Sequence, residues 1–155
     1  MDEARVNQLG AQPLAADLAA VRAVTDHSGM ARLLGASHAG FGGTLFGVDV
    51  FEDLQNPNLN SAYMGQGGLG LPDRDYYLKA DFAPQREAYV AYITRALTAA
   101  GWSNPAQAAA DILAFETKVA EKHWTTVERR QIDKIYNPMT VAELIAAPGG
   151  DIHRV

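Results

Sequence analysis

The stretch Gln66-Gly67-Gly68-Leu69-Gly70-Leu71-Pro72-Asp73-Arg74-Asp75-Tyr76-Tyr77-Leu78 separates a strand-like pattern from the long helical patterns that follow it. Its glycines, together with Gly65, satisfy Gly-x-Gly-x-x-Gly, the pattern of dinucleotide-binding loops. Such a loop needs a buried parallel strand before it and a long helix directly after it. Here Pro72 follows the loop, and the carboxylates of Asp73 and Asp75 would lie where phosphates should bind. We therefore predict a structural loop, which leaves a nucleotide-dependent oxidoreductase as the weakest functional alternative.

The residues at the end of this stretch predict how the loop is held. Asp73, Arg74 and Asp75 can pair across a short turn or helix over residues 72–78. Tyr76 and Tyr77 can bury their rings while their hydroxyls form hydrogen bonds. We expect these five residues to stabilise the loop rather than to contact a substrate.

A β-hairpin is predicted immediately before the loop. Phe46, Val48 and Val50 alternate with small or acidic residues at the period of a strand. Asn56-Pro57-Asn58 is a turn signal, and a second strand-like run follows it. The predicted strands cover residues 44–51 and 60–64.

Helical spacing of apolar residues predicts the remaining elements. The predicted helices cover residues 13–25, 28–40, 84–99, 105–122, 126–132 and 141–147. Ser28, Asn104 and Thr140 are at positions suited to N-caps, with Glu143 completing a capping box after Thr140. Gly101 is a natural stop for the third of these helices, so the two longest should form an antiparallel pair.

The apolar spacing of the two long helices also predicts which side chains face each other. The third helix would present Tyr89, Ile93, Ala96 and Leu97. The fourth would present Ala108, Ile112, Phe115, Val119 and Lys122. Glu116 and Glu121, with Lys118 and Lys122, are interpreted as solvated helix charges.

Length and composition exclude several classes of protein. The chain has 155 residues, 48% of them hydrophobic, no cysteine and a formal charge of −5, which suits one ordinary globular domain. Without cysteine there is no disulfide scaffold, thiolate zinc site or cysteine nucleophile. Neither half is basic, so nucleic acid is not an expected partner. No apolar run approaches the roughly 20 residues of a membrane span, and the acidic start Met1–Arg5 is not a signal peptide.

The candidate metal ligands do not form a recognisable motif. No two of His27, His38, His123 and His153 are four residues apart, so the chain has no His-Glu-x-x-His zinc helix. His27 and His38 could still meet through the fold, whereas His123, just after a helix, is expected to be structural. Near the hairpin turn, a solvated acidic edge is favoured over a calcium site; it comprises Asp49, Glu52 and Asp53. We therefore predict no catalytic, cofactor-binding or metal-binding residue in this chain.

The glycine-containing stretch as a whole resembles the signature in the N-terminal region of the neprilysin-like zinc metallopeptidases, which include neprilysin, the endothelin-converting enzymes and bacterial homologues. Residues 66–78 form a run of thirteen matching positions, and further matches follow the family order along most of the chain. These are Met1-Asp2-Glu3, Leu9-Gly10, Pro13-Leu14, Phe46, Asp49, Phe115-Glu116-Thr117-Lys118-Val119-Ala120, Trp124-Thr125-x-Val127-Glu128 and Tyr136-Asn137-x-Met139-Thr140-Val141-x-x-Leu144.

The resemblance implies a mainly α fold: a helical, bundle-like lid subdomain with one β-hairpin, and an incomplete domain. Residues 1–155 would be a fragment of the N-terminal helical lid domain of a larger metallopeptidase, without its catalytic zinc domain. Zinc is expected in the full-length parent and not in this chain. The implied partners are the missing catalytic half and, in the parent, peptide substrates; exposed apolar surface would also permit self-association.

The resemblance further implies a location and an origin for the parent protein. Family membership implies that the parent is extracytoplasmic, whether periplasmic, secreted or membrane-anchored. The absence of cysteine points to a bacterial member, since the animal ectodomains carry disulfides. The function expected from the resemblance is that of a lid segment, inactive alone, of an enzyme that hydrolyses peptides. The alternative is a free-standing helical module that binds a peptide or a protein.

Overall fold

The computed structural model describes residues 2–38 and 44–146. Its α-helices are α1 (Glu3–Leu9), α2 (Ala15–Arg22), α3 (His27–His38), α4 (Asp75–Leu78), α5 (Ala83–Ala99), α6 (Pro105–Lys122), α7 (Ile132–Ile135) and α8 (Val141–Ala146). Three short 3₁₀ turns cover Gln12–Leu14, Ala80–Phe82 and Glu128–Arg130. The mainly α fold with one hairpin, expected from the sequence, is confirmed.

The hairpin consists of β1 (Phe46–Glu52) and β2 (Asn60–Gln66), which pair antiparallel. Val48 lies opposite Met64, and Val50 lies opposite Ala62. Asp53 orders the connection between the strands. Its Oδ1 accepts hydrogen bonds from the backbone N–H groups of Gln55 and Asn56, at 2.9 and 3.0 Å. The second strand extends two residues beyond the prediction and leads directly into the glycine loop.

An antiparallel pair of long helices, α5 and α6, forms the centre of the described chain. Ile93 of α5 is buried, as are Ala109 and Ala120 of α6. Alanines at a contact allow two helix backbones to approach closely. Gly101 ends α5 with φ +64°, and Trp102 N donates to Leu97 O at 2.9 Å, so the predicted stop is confirmed.

A side chain of α2 connects the first helices to this pair. Arg22, in the last turn of α2, donates to the carbonyl oxygens of Ala100 and Gly101 at 3.3 and 3.4 Å. Its guanidinium also lies 5.4 Å from the centroid of the Trp102 ring, a distance suited to a cation–π contact. Arg22 therefore satisfies carbonyls at the end of α5 while it holds α2 in place.

The prediction that three residues of these helices face inward is wrong. Phe115 is 53% exposed, and Ala96 and Lys122 are also exposed. The inward face of α6 instead includes Glu116 and Ala120. The prediction followed apolar residues only, so it did not consider the polar Glu116 for this face. Tyr89, Ile93 and Leu97 of α5 do face inward, as do Ala108, Ile112 and Val119 of α6.

Of the three predicted N-caps, one is confirmed and two are wrong. Asp26, not Ser28, caps α3, because its Oδ1 accepts from Gly29 N at 2.6 Å. Asn104 precedes α6 with a left-handed φ of 53° and makes no side-chain cap. Thr140 and Glu143 do form the predicted capping box, with Glu143 N to Thr140 Oγ1 at 3.2 Å and Thr140 N to Glu143 Oε2 at 2.7 Å.

Two further differences concern short elements. Helix α1 was not predicted; Asp2 caps it by accepting from Arg5 N at 3.1 Å. The helix predicted over 126–132 is a 3₁₀ turn followed by α7. The end of the helix predicted over 28–40 and His153 lie outside the described residues.

Candidate functional site

The candidate site is the signature loop, defined as residues 66–78, together with the residues after α6 that it contacts. Gln66 begins the loop and makes two hydrogen bonds with one residue: its Oε1 accepts from Trp124 N at 2.8 Å, and its Nε2 donates to Trp124 O at 3.3 Å. A side-chain amide that pairs with both backbone groups of one residue imitates a strand neighbour. The end of β2 is thereby fixed to the segment that follows α6.

The glycines of the loop allow close packing against the hairpin. A Cβ at Gly67 would lie 3.2 Å from the backbone of Phe46. The carbonyl of Gly67 accepts a hydrogen bond from Nε2 of His123 at 3.0 Å. His123 is only 7% exposed, which agrees with the structural role predicted for it.

The centre of the site is a carboxylate held by two phenols. Tyr77 donates to Oε2 of Glu116 at 2.6 Å, and Tyr89 donates to Oε1 at 3.0 Å. The Tyr77 hydroxyl also accepts from Leu71 N at 2.8 Å. One carboxylate of α6 therefore connects the loop, α4 and α5.

The environment of the two phenols shifts their acidity. Burial, followed by the hydrogen bond to the Glu116 carboxylate, raises the pKa of Tyr89 to about 12. The same two causes raise the pKa of Tyr77 well above its usual value. Both tyrosines are therefore hydrogen-bond donors at neutral pH, not bases or nucleophiles.

Asp73 joins the loop to the segment after α6. Its Oδ1 accepts from Asp75 N at 3.1 Å, while its Oδ2 accepts from the Thr126 hydroxyl at 3.1 Å and from the Arg129 guanidinium at 3.0 Å. Partial burial raises the pKa of Asp73, but these hydrogen bonds and the positive charges of Arg129 and Arg74 outweigh it and lower the pKa overall. Asp73 is thus an ionised structural anchor.

Other polar contacts complete the attachment of the loop. Arg74 Nε donates to the carbonyl of Ala120 in the last turn of α6 at 3.2 Å. Arg86 of α5 donates to the carbonyls of Tyr76 and Lys79 at 2.7 and 2.8 Å. The predicted pairing within residues 73–75 is present as an Arg74–Asp75 contact of 3.7 Å. The ring of Tyr76 stacks on Phe82 at 4.2 Å, and Tyr77 is buried.

A capping box orders the residues that receive Asp73. Thr125 N donates to Oε2 of Glu128 at 2.9 Å, and Glu128 N donates to Oγ1 of Thr125 at 3.2 Å. The backbone and hydroxyl of Thr125, with a further contribution from Lys134, lower the pKa of Glu128 to about 2. Thr126 and Arg129 are positioned within this turn.

Two open grooves flank the hairpin. One, of about 380 Å³, lies between the hairpin and residues 135–144 and is mainly apolar, with Met64, Met139 and Leu144 among its lining residues. Tyr136 donates across its rim to Asp53 Oδ1 at 3.1 Å. The other, of about 430 Å³, is lined in part by Gln66, Trp124 and Arg129.

The described residues do not fit a metal ion. Across residues 2–38 and 44–146, no three His, Asp or Glu side chains come together as a potential metal site. His38 shares a hydrogen bond with Thr44 at 3.0 Å and stacks on Phe46, while His123 is engaged by Gly67. The chemistry available in the site is hydrogen bonding between elements of the fold.

The sequence pattern missed the most important residue of the site. Glu116 was interpreted as a solvated helix charge, yet it accepts hydrogen bonds from two tyrosines. A signal was present, because Glu116 lies four residues after Ile112, which was predicted to face inward.

The helices of this chain also bear on membrane insertion. Among the described residues, none of the helices combines the length and the hydropathy that crossing a bilayer requires.

Comparisons with known proteins identify relatives along the whole chain. The model of peptidase family M13, for its N-terminal region, matches residues 1–155. Endothelin-converting enzyme 1 of Cavia porcellus is 38% identical over 103 residues, which cover 64% of this chain and 14% of the relative. Neprilysin-3 of Drosophila melanogaster is 30% identical over 105 residues, covering 64% and 13%.

Solved structures extend the comparison to the fold. Zinc metalloprotease Zmp1 of Mycobacterium tuberculosis in its open state superimposes with a TM-score of 0.85 at 34% identity, over 94% of this chain and 23% of that one. Its complex with an inhibitor gives 0.84 at 36% identity, over 94% and 22%. The chain therefore spans less than a quarter of the length of these relatives.

The contact between Gly70 and Tyr89 yields a stability prediction. A Cβ at Gly70 would overlap the Tyr89 hydroxyl and lie 2.7 Å from Cζ. We expect Gly70→Ala to lower the free energy of unfolding by about 2 kcal/mol, measured by urea denaturation. In a Tyr89→Leu background, which removes the ring, the same change should cost little. Gly65→Ala is the matched control, because nothing lies within 4 Å of its Cβ; equal losses at both glycines would contradict the prediction.

The capping box after α6 yields a pH prediction. The pKa of Glu128 is lowered from 4.5 to about 2 in the folded chain, so its ionised form stabilises the fold fully above pH 4.5. This contribution is lost as the pH falls from 4.5 towards 2. Glu128→Gln should therefore flatten the decline in melting temperature across that interval, and Thr125→Ala should do the same. A decline as steep as in the unmodified chain would contradict the assignment.

Proposed function

Because the chain belongs to peptidase family M13, we propose that it is a segment of the helical lid domain of a longer zinc-dependent metalloendopeptidase and does not hydrolyse peptides alone. The observation that carries this proposal is the pattern of coverage. Nearly all of the chain, 94%, superimposes on 23% of the chain of a zinc metalloprotease with a TM-score of 0.85. A fold shared at that level and at 34% identity supports a shared place in a larger enzyme.

The zinc site is assigned to another part of the parent polypeptide. The 155 residues contain no His-Glu-x-x-His, and the described part of the chain brings no suitable ligands together. When bound, zinc in such enzymes lowers the pKa of a water molecule and polarises the scissile carbonyl. None of the residues described above would take part in that chemistry.

The role proposed for this chain is to form part of a rigid domain that closes over the catalytic half. This domain would admit only short peptides to the active site. A lid must move as one body, and the signature loop supplies connections that would make it do so. Gln66 joins the hairpin to the segment after α6, Glu116 joins α6 to α4 and α5, and Arg74 joins the loop to α6. These contacts support a rigid unit of hairpin and helices.

Exposed apolar side chains support the proposal that the rest of the polypeptide covers this unit. Helices α1 to α3 expose Val6, Val21 and Met30. Large apolar side chains left in water on several adjacent elements are typical of a surface that another body buries. The proposed partner is the catalytic half of the same chain, and the proposed location of the parent is outside the cytoplasm of a bacterium.

The open groove between the hairpin and residues 135–144 favours one alternative. Its apolar lining would suit a peptide or protein segment bound by a free-standing module. A monomeric chain with a reproducible peptide ligand would favour this alternative over a lid segment.

The test compares the 155-residue chain with the longer protein that its reading frame encodes. We expect the longer protein to bind stoichiometric zinc and to hydrolyse peptides in a reaction that a chelator abolishes. The chain alone should show neither property. A variant of the longer protein lacking the water-activating glutamate of its His-Glu-x-x-His is the control for contaminating proteases. Chelator-sensitive hydrolysis by the chain alone would overturn the claim of inactivity, and a longer protein without a zinc motif would remove the parentage.

A further inference from the structure

The outer edge of β1 carries unused backbone hydrogen-bonding groups. In the hairpin, Asp53 N donates to Leu59 O at 2.9 Å, and Gly67 N donates to Leu45 O at 3.1 Å. Hydrogen-bonded pairs alternate along an antiparallel ladder, so the backbone N–H and C=O groups of the odd-numbered residues of β1 point towards β2. The peptide groups of Phe46, Val48 and Val50 therefore point away from the hairpin.

Nothing in the described chain pairs with this edge. No backbone hydrogen bond from outside the hairpin reaches Phe46, Val48 or Val50 among the described residues. Val48 is 44% exposed, Val50 67% and Phe51 59%. Proteins usually protect such edges with charged side chains, above all lysine, with proline or with a bulge. The seven residues of β1 contain no lysine or proline and pair in unbroken register, and their charged side chains are Asp49 and Glu52.

The edge of β2 is less accessible. Tyr63 and Met64 are half-buried. Strand β2 contributes four residues to the lining of the groove against residues 135–144, whereas β1 contributes Val48 alone among the described residues. At the turn end of the hairpin, the Tyr63 hydroxyl donates to Glu52 O at 3.2 Å, so this outward carbonyl of β1 is already engaged. Within residues 2–38 and 44–146, the available strand-pairing surface is thus the Phe46–Val50 part of β1.

We propose that two copies of this chain pair antiparallel through the outer edges of β1, with a two-fold axis at Val48. The two hairpins then form one four-stranded sheet, and the interface closes because the same surface is used twice. Val48 lies opposite Val48 of the second copy, and Phe46 lies opposite Val50. This pairing concerns the chain itself and does not depend on the proposed function.

The charges of β1 select this register. With the axis at Val48, Asp49 lies opposite Gly47 and Glu52 opposite Thr44, so no two carboxylates face each other. An axis at Asp49 would place Asp49 opposite Asp49, and parallel in-register pairing would also align Glu52 with Glu52. Like charges directly opposite each other destabilise a sheet.

An axis at Val50 is also less favourable. It would place Val48 opposite Glu52, so an apolar side chain would face a carboxylate. With the axis at Val48, Leu45 lies opposite Phe51 on the other face of the sheet. The chosen register therefore pairs apolar side chains on both faces.

Single cysteines test the register directly, because the chain contains none of its own. With the axis at Val48, the two Cα atoms of residue 48 would lie about 5.5 Å apart, which a disulfide can bridge. The two copies of residue 50 would be four residues apart along the sheet, about 13 Å. Under mild oxidation we expect Val48→Cys to form covalent dimers and Val50→Cys to form at least tenfold fewer. Equal yields, or no dimer from Val48→Cys, would overturn the proposal.

Proline substitutions test the edge independently. Val50→Pro removes an outward N–H of β1 without touching the ladder to β2, and Ala62→Pro does the same at the opposite edge, directly across the hairpin. In sedimentation velocity the unmodified chain and Ala62→Pro should have twice the 16.7 kDa monomer mass, whereas Val50→Pro should be monomeric with an unchanged helical circular dichroism spectrum. An unmodified chain that stays monomeric at all concentrations would overturn the pairing and leave the edge to another occupant, such as a strand of a longer polypeptide.

Discussion

The carboxylate of Glu116 is the interaction on which the rest of the structure depends. It accepts hydrogen bonds from Tyr77 and Tyr89, and so joins three elements far apart in sequence. Glu116 is half-buried. A carboxylate partly removed from water needs hydrogen bonds to replace the hydration it loses, and the two phenols supply them. The loop closes around this group because Leu71 donates to Tyr77 and because Gly70 leaves room for the ring of Tyr89. The glycines of the signature therefore serve packing.

The sequence predicted the elements of the fold better than their faces. The two long helices, the hairpin and the stop at Gly101 follow from local signals that act within a few residues. Phe115 and Glu116 show where this reasoning ends. Apolar spacing placed Phe115 inside and Glu116 outside, whereas the partners that reverse this assignment lie 39 and 27 residues away in sequence. No local pattern identifies those two partners.

The candidate site was predicted only in outline, because several of its contacts also join residues that are far apart in sequence. The resemblance identified residues 66–78, and the chemistry of the side chains predicted a structural role for them. The contacts of Arg74 and Tyr77 agree with that prediction, whereas Tyr76 contributes through its ring and its carbonyl. The contacts of Asp73 with Thr126 and Arg129 could not be predicted, since they span more than 50 residues. The tightly connected loop contrasts with the apolar side chains that stay exposed on α1 to α3 and on β1. Both proposals above concern these exposed surfaces.

A double-mutant cycle between Tyr77→Phe and Glu116→Gln tests the central claim that this carboxylate holds the fold together. The quantity to measure is the free energy of unfolding of the chain and its three variants in urea at neutral pH. A hydrogen bond to a charged group contributes about 1.5–3 kcal/mol, so the two substitutions should be coupled by at least about 1 kcal/mol, with the double variant little less stable than Glu116→Gln alone. Additive losses within about 0.3 kcal/mol would contradict the account, because they would mean that Tyr77 and Glu116 stabilise the chain independently.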